Sequence, residues 1–509
     1  MKKIFILFAL LSLWSCHKDV PVLPVVEEPA KEQAKEDPEK KDPETPKQSG
    51  DSITSDEHDS ALTREETLFR RLANAALRGQ ETCDVGDLNI KMEAKEGTLS
   101  ESEELFAKFV KKYPFIFHIE TDGSFSVVYK ESDHSLVDKY RIESKVPMNQ
   151  IREWANNVEK GMEECYASLA EGMSDVEIAY SVGYQITKRT SYSFADHPFD
   201  LLGPLVLGKA VCQGYSLAYC MLMENLGIRT DYIRGSSLYE NLGHVWNRIF
   251  IEGQWYNMDL TWDDSGGSFP ISDFVCKFAF TSDSRFYDEL KHVRATEFPK
   301  IPAANSRRFE NDNYFFRKNP NQTEAIYINK YWYYLSMTDM CIYKSYFDGS
   351  NRQTIYKLNR PAKEGYLWKQ IAFGDKKIYF IDKFDNENYV CSVGYDGTGF
   401  EKNQRVTYGQ LAMEGYRVKA QEGPYKKKDF GIVALRAEVA LAKMKDAYYH
   451  GQEDYLVPKD PRRVEFVNTI KQAEKLLQSK SGNTSEATAL CHKLRSIRKS
   501  YSMPLTYKA

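Results

Sequence analysis

The sequence predicts an α+β chain made of several packed units rather than one core, and three observations carry that expectation. Two alternating apolar runs, Val245 to Ile251 and Trp255 to Leu260, flank a Glu252-Gly253 pair, the pattern of a β-hairpin with a two-residue turn. Two strand-rich stretches recur, with Tyr331 and Tyr379, like Asp348 and Asp396, 48 residues apart. Three stripes of helical period close the chain. A chain of 509 residues exceeds what a single core organises, so about two to four domains are expected.

From the N-terminus, Met1-Lys2-Lys3 is basic and Ile4 to Leu13 is apolar, long enough for a signal-peptide core and too short to span a bilayer. Leu13-Trp14-Ser15-Cys16 follows and resembles a bacterial lipobox, which implies a signal peptide over 1–16 and lipidation of Cys16. The alternative is a plain secretory signal followed by an unrelated cysteine. Residues 17–60 read as a disordered tether. The segment Glu27 to Gln48 is almost wholly Glu, Lys, Pro, Asp, Ala, Gln and Thr, with too little apolar surface to fold. Its prolines favour extended conformations that hold a domain away from a lipid surface.

Residues 61–150 read as a small α+β domain. Leu105, Phe106, Phe109 and Val110 share a helix face that Pro114 terminates, and Phe125 to Tyr129 and Val137 to Val146 read as strands.

Residues 151–305 hold the chemistry. In Gly208-Lys209-Ala210-Val211-Cys212-Gln213-Gly214-Tyr215-Ser216, an apolar run follows the cysteine and Gly227 ends it, so Cys212 opens a helix. The unpaired N–H groups and dipole of a helix start favour a thiolate, the form a nucleophile needs. The bland reading is a core cysteine. Gly243-His244-Val245-Trp246-Asn247 then enters the hairpin that ends at Asp259. Setting the register from the turn places Ile251 opposite Gln254 and Trp246 opposite Asp259. Residues two apart share a face, so His244 and Asp259 are diagonal neighbours on one face, within reach of an imidazole and a carboxylate. Asp259 would orient His244, and His244 would take the proton of Cys212.

V-C-x-G-Y, H-x-W-N and W-Y-x-x-D-x-T-W-D-D together resemble bacterial transglutaminase-like proteins, relatives of papain-like thiol enzymes. Met173 to Ala179 and Thr190-Ser191-Tyr192 are similar to that family's helix before the nucleophile, and Phe274 to Asp283 to its closing segment. The resemblance spans roughly residues 165–295 and implies a papain-like, transglutaminase-like core domain. By position, Cys212 is the nucleophile, His244 the base and Asp259 the orienting acid, with Trp246 and Asn247 in support. Gln213 follows the cysteine where many papain-like enzymes place a donor glutamine before it, so the backbone N–H of Cys212 is taken as one oxyanion donor and the second is open. His197, His292, Cys220 and Cys276 are read as structural or solvent-facing, and Asp263 and Asp264 as turn residues.

Residues 306–420 read as a β-rich domain of two repeats. Tyr331 to Tyr334 and Ile378 to Ile381 are strands, each followed by an Asp-Gly turn. Each unit resembles a propeller blade, but two cannot close a propeller, so stacked sheets are expected. Residues 425–509 read as a three-helix bundle. The stripes are Ile432, Leu435, Val439 and Ala442, then Phe466, Ile470, Ala473 and Leu477 after Asp460-Pro461, then Ala487, Leu490, Leu494 and Ile497 after Asn483. This part is similar to helical modules appended to bacterial surface enzymes, which implies a spacer or binder.

Charge is nearly balanced, with 69 Lys and Arg against 73 Asp and Glu, so no basic field points to nucleic acid. Without Cys16 the cysteines are Cys83, Cys165, Cys212, Cys220, Cys276, Cys341, Cys391 and Cys491. None forms a C-x-x-C pair, so no zinc or redox motif is present in the sequence. An exported protein can hold disulfides, but a nucleophilic cysteine must stay unpaired. The expected partners are a peptide or protein substrate and, through the lipid anchor, a membrane; cell-wall or polysaccharide contact would fall to the C-terminal domains. No metal or organic cofactor is implied. The resemblance points to cysteine-dependent acyl transfer on amides, a hydrolase in the cell envelope. The alternatives are a catalytically silent scaffold of the same fold, or a cross-linking transglutaminase.

Overall fold

The computed structural model describes residues 62–501, apart from 78, 93–99, 114–115, 120–125, 147–149, 238–242, 265–275, 291, 295–302, 319–324, 361–370, 375, 407–430, 451–460 and 480–482. Cys16, the signal-like stretch and the tether lie outside the described residues, as do Pro114, Phe125 and Asp460. No described helix is long and apolar enough to cross a membrane.

The N-terminal unit packs α1 (Arg64–Leu77) and α2 (Glu101–Lys112) on a three-stranded sheet, order β1 (Thr82–Asp84), β3 (Val137–Arg141), β2 (Val127–Tyr129). Ser100 and Glu103 cap α2 reciprocally, which satisfies two first-turn N–H groups. The expected strand to Val146 ends earlier, at Arg141. Past that point the backbone changes partner: Ile142 N–H donates to Glu81 O at 2.9 Å and Lys145 N–H to His118 O at 2.7 Å.

The central unit is α+β. It contains α3 (Ile151–Tyr166), α4 (Asp175–Arg189), a parallel pair β4 (Ser191–Tyr192) and β5 (Lys209–Ala210), then α5 (Cys212–Asn225). An antiparallel sheet follows, built from β6 (Thr230–Ser237), β7 (Gly243–Ile251) and β8 (Gln254–Met258), with β9 (His292–Arg294) on the outer edge of β6. The short helix α6 (Leu260–Asp263) leaves β8. The hairpin has the expected register, Ile251 opposite Gln254 through Asn247 opposite Met258. Glu252 and Gly253 have φ of 50° and 80°, the two positive values that a type I′ turn needs.

Two four-stranded meanders follow. The first is β10 (Ile326–Ile328), β11 (Tyr331–Ser336), β12 (Cys341–Ser345) and β13 (Gln353–Lys357). The second is β14 (Ile371–Phe373), β15 (Lys377–Phe384), β16 (Glu387–Gly394) and β17 (Glu401–Val406). They share one core, in which Ile326, Leu335 and Ile342 of the first meet Phe373, Ile378 and Phe380 of the second. The first meander also packs against the central unit. Trp332 is buried, and its indole N–H donates to Glu177 at 2.8 Å while the other oxygen of Glu177 caps α4 through Ser174.

The chain ends in α7 (Gly431–His450), α8 (Pro461–Gln478) and α9 (Thr484–Ser500). Leu435, Val439 and Ala442 face the bundle with Phe466, Ile470, Ala473 and Leu494. The opposite side of α7, Val433, Ala437, Ala440, Leu441 and Met444, joins the core that runs back through α5, α3 and α1. The expected spacer is therefore docked on the central unit, because α7 is apolar on both faces. All eight described cysteines are free.

Candidate active site

Cys212 is the first residue of α5, after Val211 in extended conformation, and is partly exposed. The first turn of a helix has N–H groups without intrahelical acceptors, so the sulfur lies beside backbone donors. His244 begins β7 and Asp259 follows β8, one step beyond the last ladder pair. The ring Nε2 of His244 donates to Asp259 Oδ2 at 2.6 Å, and a hydrogen bond joins the ring to the Cys212 sulfur. With Nε2 committed to Asp259, Nδ1 is the nitrogen left for sulfur. The structure thus places Cys212, His244 and Asp259 in one hydrogen-bonded chain.

Asp259 is 1 % exposed and is held on both oxygens. Oδ1 accepts the Trp262 N–H at 3.2 Å, which also caps α6. Burial alone would raise its pKa, but His244, by charge and hydrogen bond, and then His292 hold it well below the usual carboxylate range. Burial disfavours a charged His244 ring, yet the Asp259 carboxylate and the Cys212 sulfur lift its pKa to about 10. The ring is therefore held in its charged form at neutral pH, beside the Cys212 sulfur.

Trp246 packs its ring against His244, centroids 6.0 Å apart and 29° between planes, and Trp262 packs at 5.2 Å. These indoles keep water from the imidazole. Asn247 lies elsewhere: its Nδ2 donates to Ser216 O at 2.9 Å and Asp231 O at 3.3 Å, tying α5 to the sheet. The Gln213 side chain donates to Phe199 O at 3.2 Å, so this contact holds the 197–200 loop.

His292 was expected to be structural or solvent-facing and is instead part of the cluster. It is buried in β9, and its Nε2 meets Asp259 Oδ2 at 2.9 Å. No periodicity or motif in the sequence marks it. Asp263 is also buried, accepts the Phe278 N–H at 2.9 Å and so fastens the segment after 275; burial, aided by the charge of Asp259, pushes its pKa up to about 8. Asp264 accepts a hydrogen bond from the Tyr215 hydroxyl. His197 Nδ1 donates to Asp200 Oδ2 at 2.9 Å, within the loop that Gln213 holds. Cys220 and Cys276 are buried. Arg317 is a further contributor that sequence reasoning had placed in the β-rich region: it donates to the carbonyls of Cys276, Ala279, Phe280 and Phe309, bracing the segment that Asp263 holds.

Ligand atoms of His244, Asp259 and His292 all lie within 4.8 Å of one another. The two nitrogen–oxygen separations are hydrogen-bond distances, so a cation would have to displace both bonds.

The sequence profile of the transglutaminase-like superfamily matches residues 163–260. Kyphoscoliosis peptidase of Homo sapiens is 24 % identical over 183 residues, covering 30 % of this chain and 26 % of that protein. The chain thus spans about a quarter of the length of that relative. Among solved structures, a TGase matches with 15 % identity and a TM-score of 0.21, covering 38 % of this chain and 55 % of the other. A candidate cysteine protease from Cytophaga hutchinsonii matches with 12 % identity and a TM-score of 0.19, covering 28 % and 41 %.

Proposed function

We propose that this chain, which carries a transglutaminase-like domain, is a cysteine-dependent acyl-transfer enzyme that hydrolyses peptide or side-chain amides. The observation that carries the reading is the hydrogen-bonded chain Cys212–His244–Asp259, with the ring held as an imidazolium. The Cys212 thiolate attacks the amide carbonyl carbon, and the electron pair of the C=O moves to oxygen. The backbone N–H of Cys212, at the start of its helix, would donate to that oxyanion. The C–N bond breaks as His244 gives its proton to the departing nitrogen, which leaves an acyl-thioester. His244, now neutral, takes a proton from water as the water oxygen attacks the thioester. The C–S bond breaks, the carboxylic acid leaves, and the thiolate–imidazolium pair is restored. An amine in place of water gives a cross-link by the same steps. Lipidation at Cys16 would hold this chemistry at a bacterial envelope; that part rests on the signal-like sequence alone.

The test uses the purified protein with a library of peptide and glutamine-type amides, with and without a primary amine. Hydrolysis adds the elements of water to the product, and transamidation adds the amine with loss of ammonia. Turnover abolished in Cys212→Ala, with free acid as the main product, supports the proposal. Rapid thiol labelling of Cys212 without turnover of any amide would favour the scaffold reading.

A further inference from the structure

The site contains a second histidine that the proposed chemistry does not use. His244 and His292 both direct Nε2 at one oxygen, Oδ2 of Asp259, at 2.6 and 2.9 Å. A carboxylate offers only lone pairs, so both nitrogens must carry the hydrogen. The rest of His292 is enclosed by aromatic surface. Its ring stacks on Phe286 with centroids 3.9 Å apart, and Trp262 and Trp246 stand at 4.6 and 5.2 Å. Its Nδ1 has no hydrogen-bond partner among the described residues. In an apolar box with one acceptor, the Nε2–H of His292 is a fixed donor aimed at Asp259.

The backbone is arranged to bring that donor in. His292 arrives on the edge strand β9, paired through Ser237 to β6. The neighbouring Gly235 stands between β9 and His244. A Cβ on Gly235 would meet Val293 O at 2.0 Å and the Trp246 ring at 2.4 Å, so only glycine permits the approach. His292 lies beyond residues 163–260, the span shared with the superfamily.

We propose that His292 is a positioning residue: a second donor that fixes the Asp259 carboxylate so that its shared oxygen faces His244. This inference rests on the triad reading above. Removing the donor frees the carboxylate to turn about the one contact left on Oδ1, and the orienting bond to His244 is then made only part of the time. Outer-shell partners that orient metal ligands cost roughly 10–100-fold in activity when lost, and a loss of the same order is expected for this second donor to Asp259.

The test is a double-mutant cycle read by the second-order rate of Cys212 alkylation by iodoacetamide at pH 7, in the full chain. His292→Leu is expected to slow alkylation by roughly 10–100-fold. It replaces a buried ring by an apolar side chain of similar size, and circular dichroism checks the fold. His292→Gln, whose amide nitrogen reaches the position of Nε2, is expected to restore most of the rate. In an Asp259→Asn background, His292→Leu is expected to have no further effect, because its target carboxylate is gone. If Asp259→Asn leaves the rate at the parental value, the triad reading itself fails. If Asp259→Asn slows the reaction and His292→Leu does not, the triad stands and His292 has no positioning role. An equal slowing by His292→Leu in both backgrounds, or no rescue by glutamine, assigns His292 to packing and overturns the proposal.

Discussion

Replacing Arg498 by methionine tests whether the C-terminal helices are part of one folding body with the central unit. Arg498 on α9 is 1 % exposed in its side chain, and so is its partner Glu438 on α7. The same guanidinium reaches α3, donating to Glu159 and, at 2.6 Å, to Glu163. Burial opposes its charge, but the three carboxylates raise its pKa above the ordinary arginine value. Methionine keeps the reach and removes the charge. Glu438 retains Arg495 at 2.9 Å and Glu159 retains Lys445 at 3.3 Å, so neither carboxylate is left bare. Breaking a buried pair from one side costs about 3–5 kcal/mol, and these remaining partners argue for the lower end, about 3 kcal/mol. The shift in Tm then depends on what unfolds together. In a unit of 60–100 residues each kcal/mol moves Tm by about 4–8 °C, and in a body of 150–250 residues by about 2–4 °C, with less in a larger one. Scanning calorimetry should show one main transition lowered by under about 10 °C if α7 joins the bundle to the central core as its two apolar faces require. An early separate transition, lowered by tens of degrees, would mean the bundle folds alone. A Tm unchanged within about 1 °C would refute the claim that this network supports the fold at all. The rate of Cys212 alkylation at 25 °C should be unaffected in either case, because α3, α7 and α9 carry none of the triad.

Three further outcomes follow from the site and the N-terminus. Because His244 titrates at about 10 in the folded protein, its pairing with Asp259 is fully present below the ordinary histidine value and is lost only as pH rises through about 10. The alkaline limb of the alkylation profile should therefore lie near there, and Asp259→Asn should bring it down, since the Cys212 sulfur alone would then oppose burial at the ring; a parental limb near pH 7 contradicts this. Asp263, held protonated up to about 8 against an ordinary value of 3.8, binds a proton in the folded state that the unfolded chain releases, so it lowers stability as pH rises between those values. Asp263→Asn keeps an acceptor for Phe278 and should be more stable than the parent at pH 8 but not at pH 4 in urea unfolding; a gain independent of pH would exclude ionisation as its cause. Cys16→Ser, expressed in a bacterium, should leave the membrane fraction for the soluble one, and retention after removal of residues 1–15 would count against lipidation.

What was legible in the sequence was local. The turn at Glu252-Gly253 fixed which hairpin residues stand opposite one another, and the diagonal placement of His244 and Asp259 followed from counting. Likewise the start of α5 at Cys212 follows from an apolar run behind it, and the 48-residue offset aligned β11 with β15 and β12 with β16. A period shows which residues are buried but not what buries them. The stripe Leu435, Val439 and Ala442 was readable on α7, whereas the second face, Val433, Ala437, Ala440, Leu441 and Met444, finds its partners far back along the chain.

The same limit explains what was missed at the site. Cys212, His244 and Asp259 sit on a helix start and at the two ends of one hairpin, so 48 residues of chain contain the whole proposed triad. The groups that tune them arrive from later segments. His292 comes on a three-residue edge strand that only the glycine at 235 lets in, and Arg317 reaches back to brace the loop that Asp263 holds. An isolated histidine in a short strand has no pattern to announce it, and a half-buried arginine among carbonyls is indistinguishable in sequence from a surface one. Chemistry encoded by neighbouring residues could thus be read directly, while the electrostatic setting of that chemistry is a property of the packed chain and had to be seen.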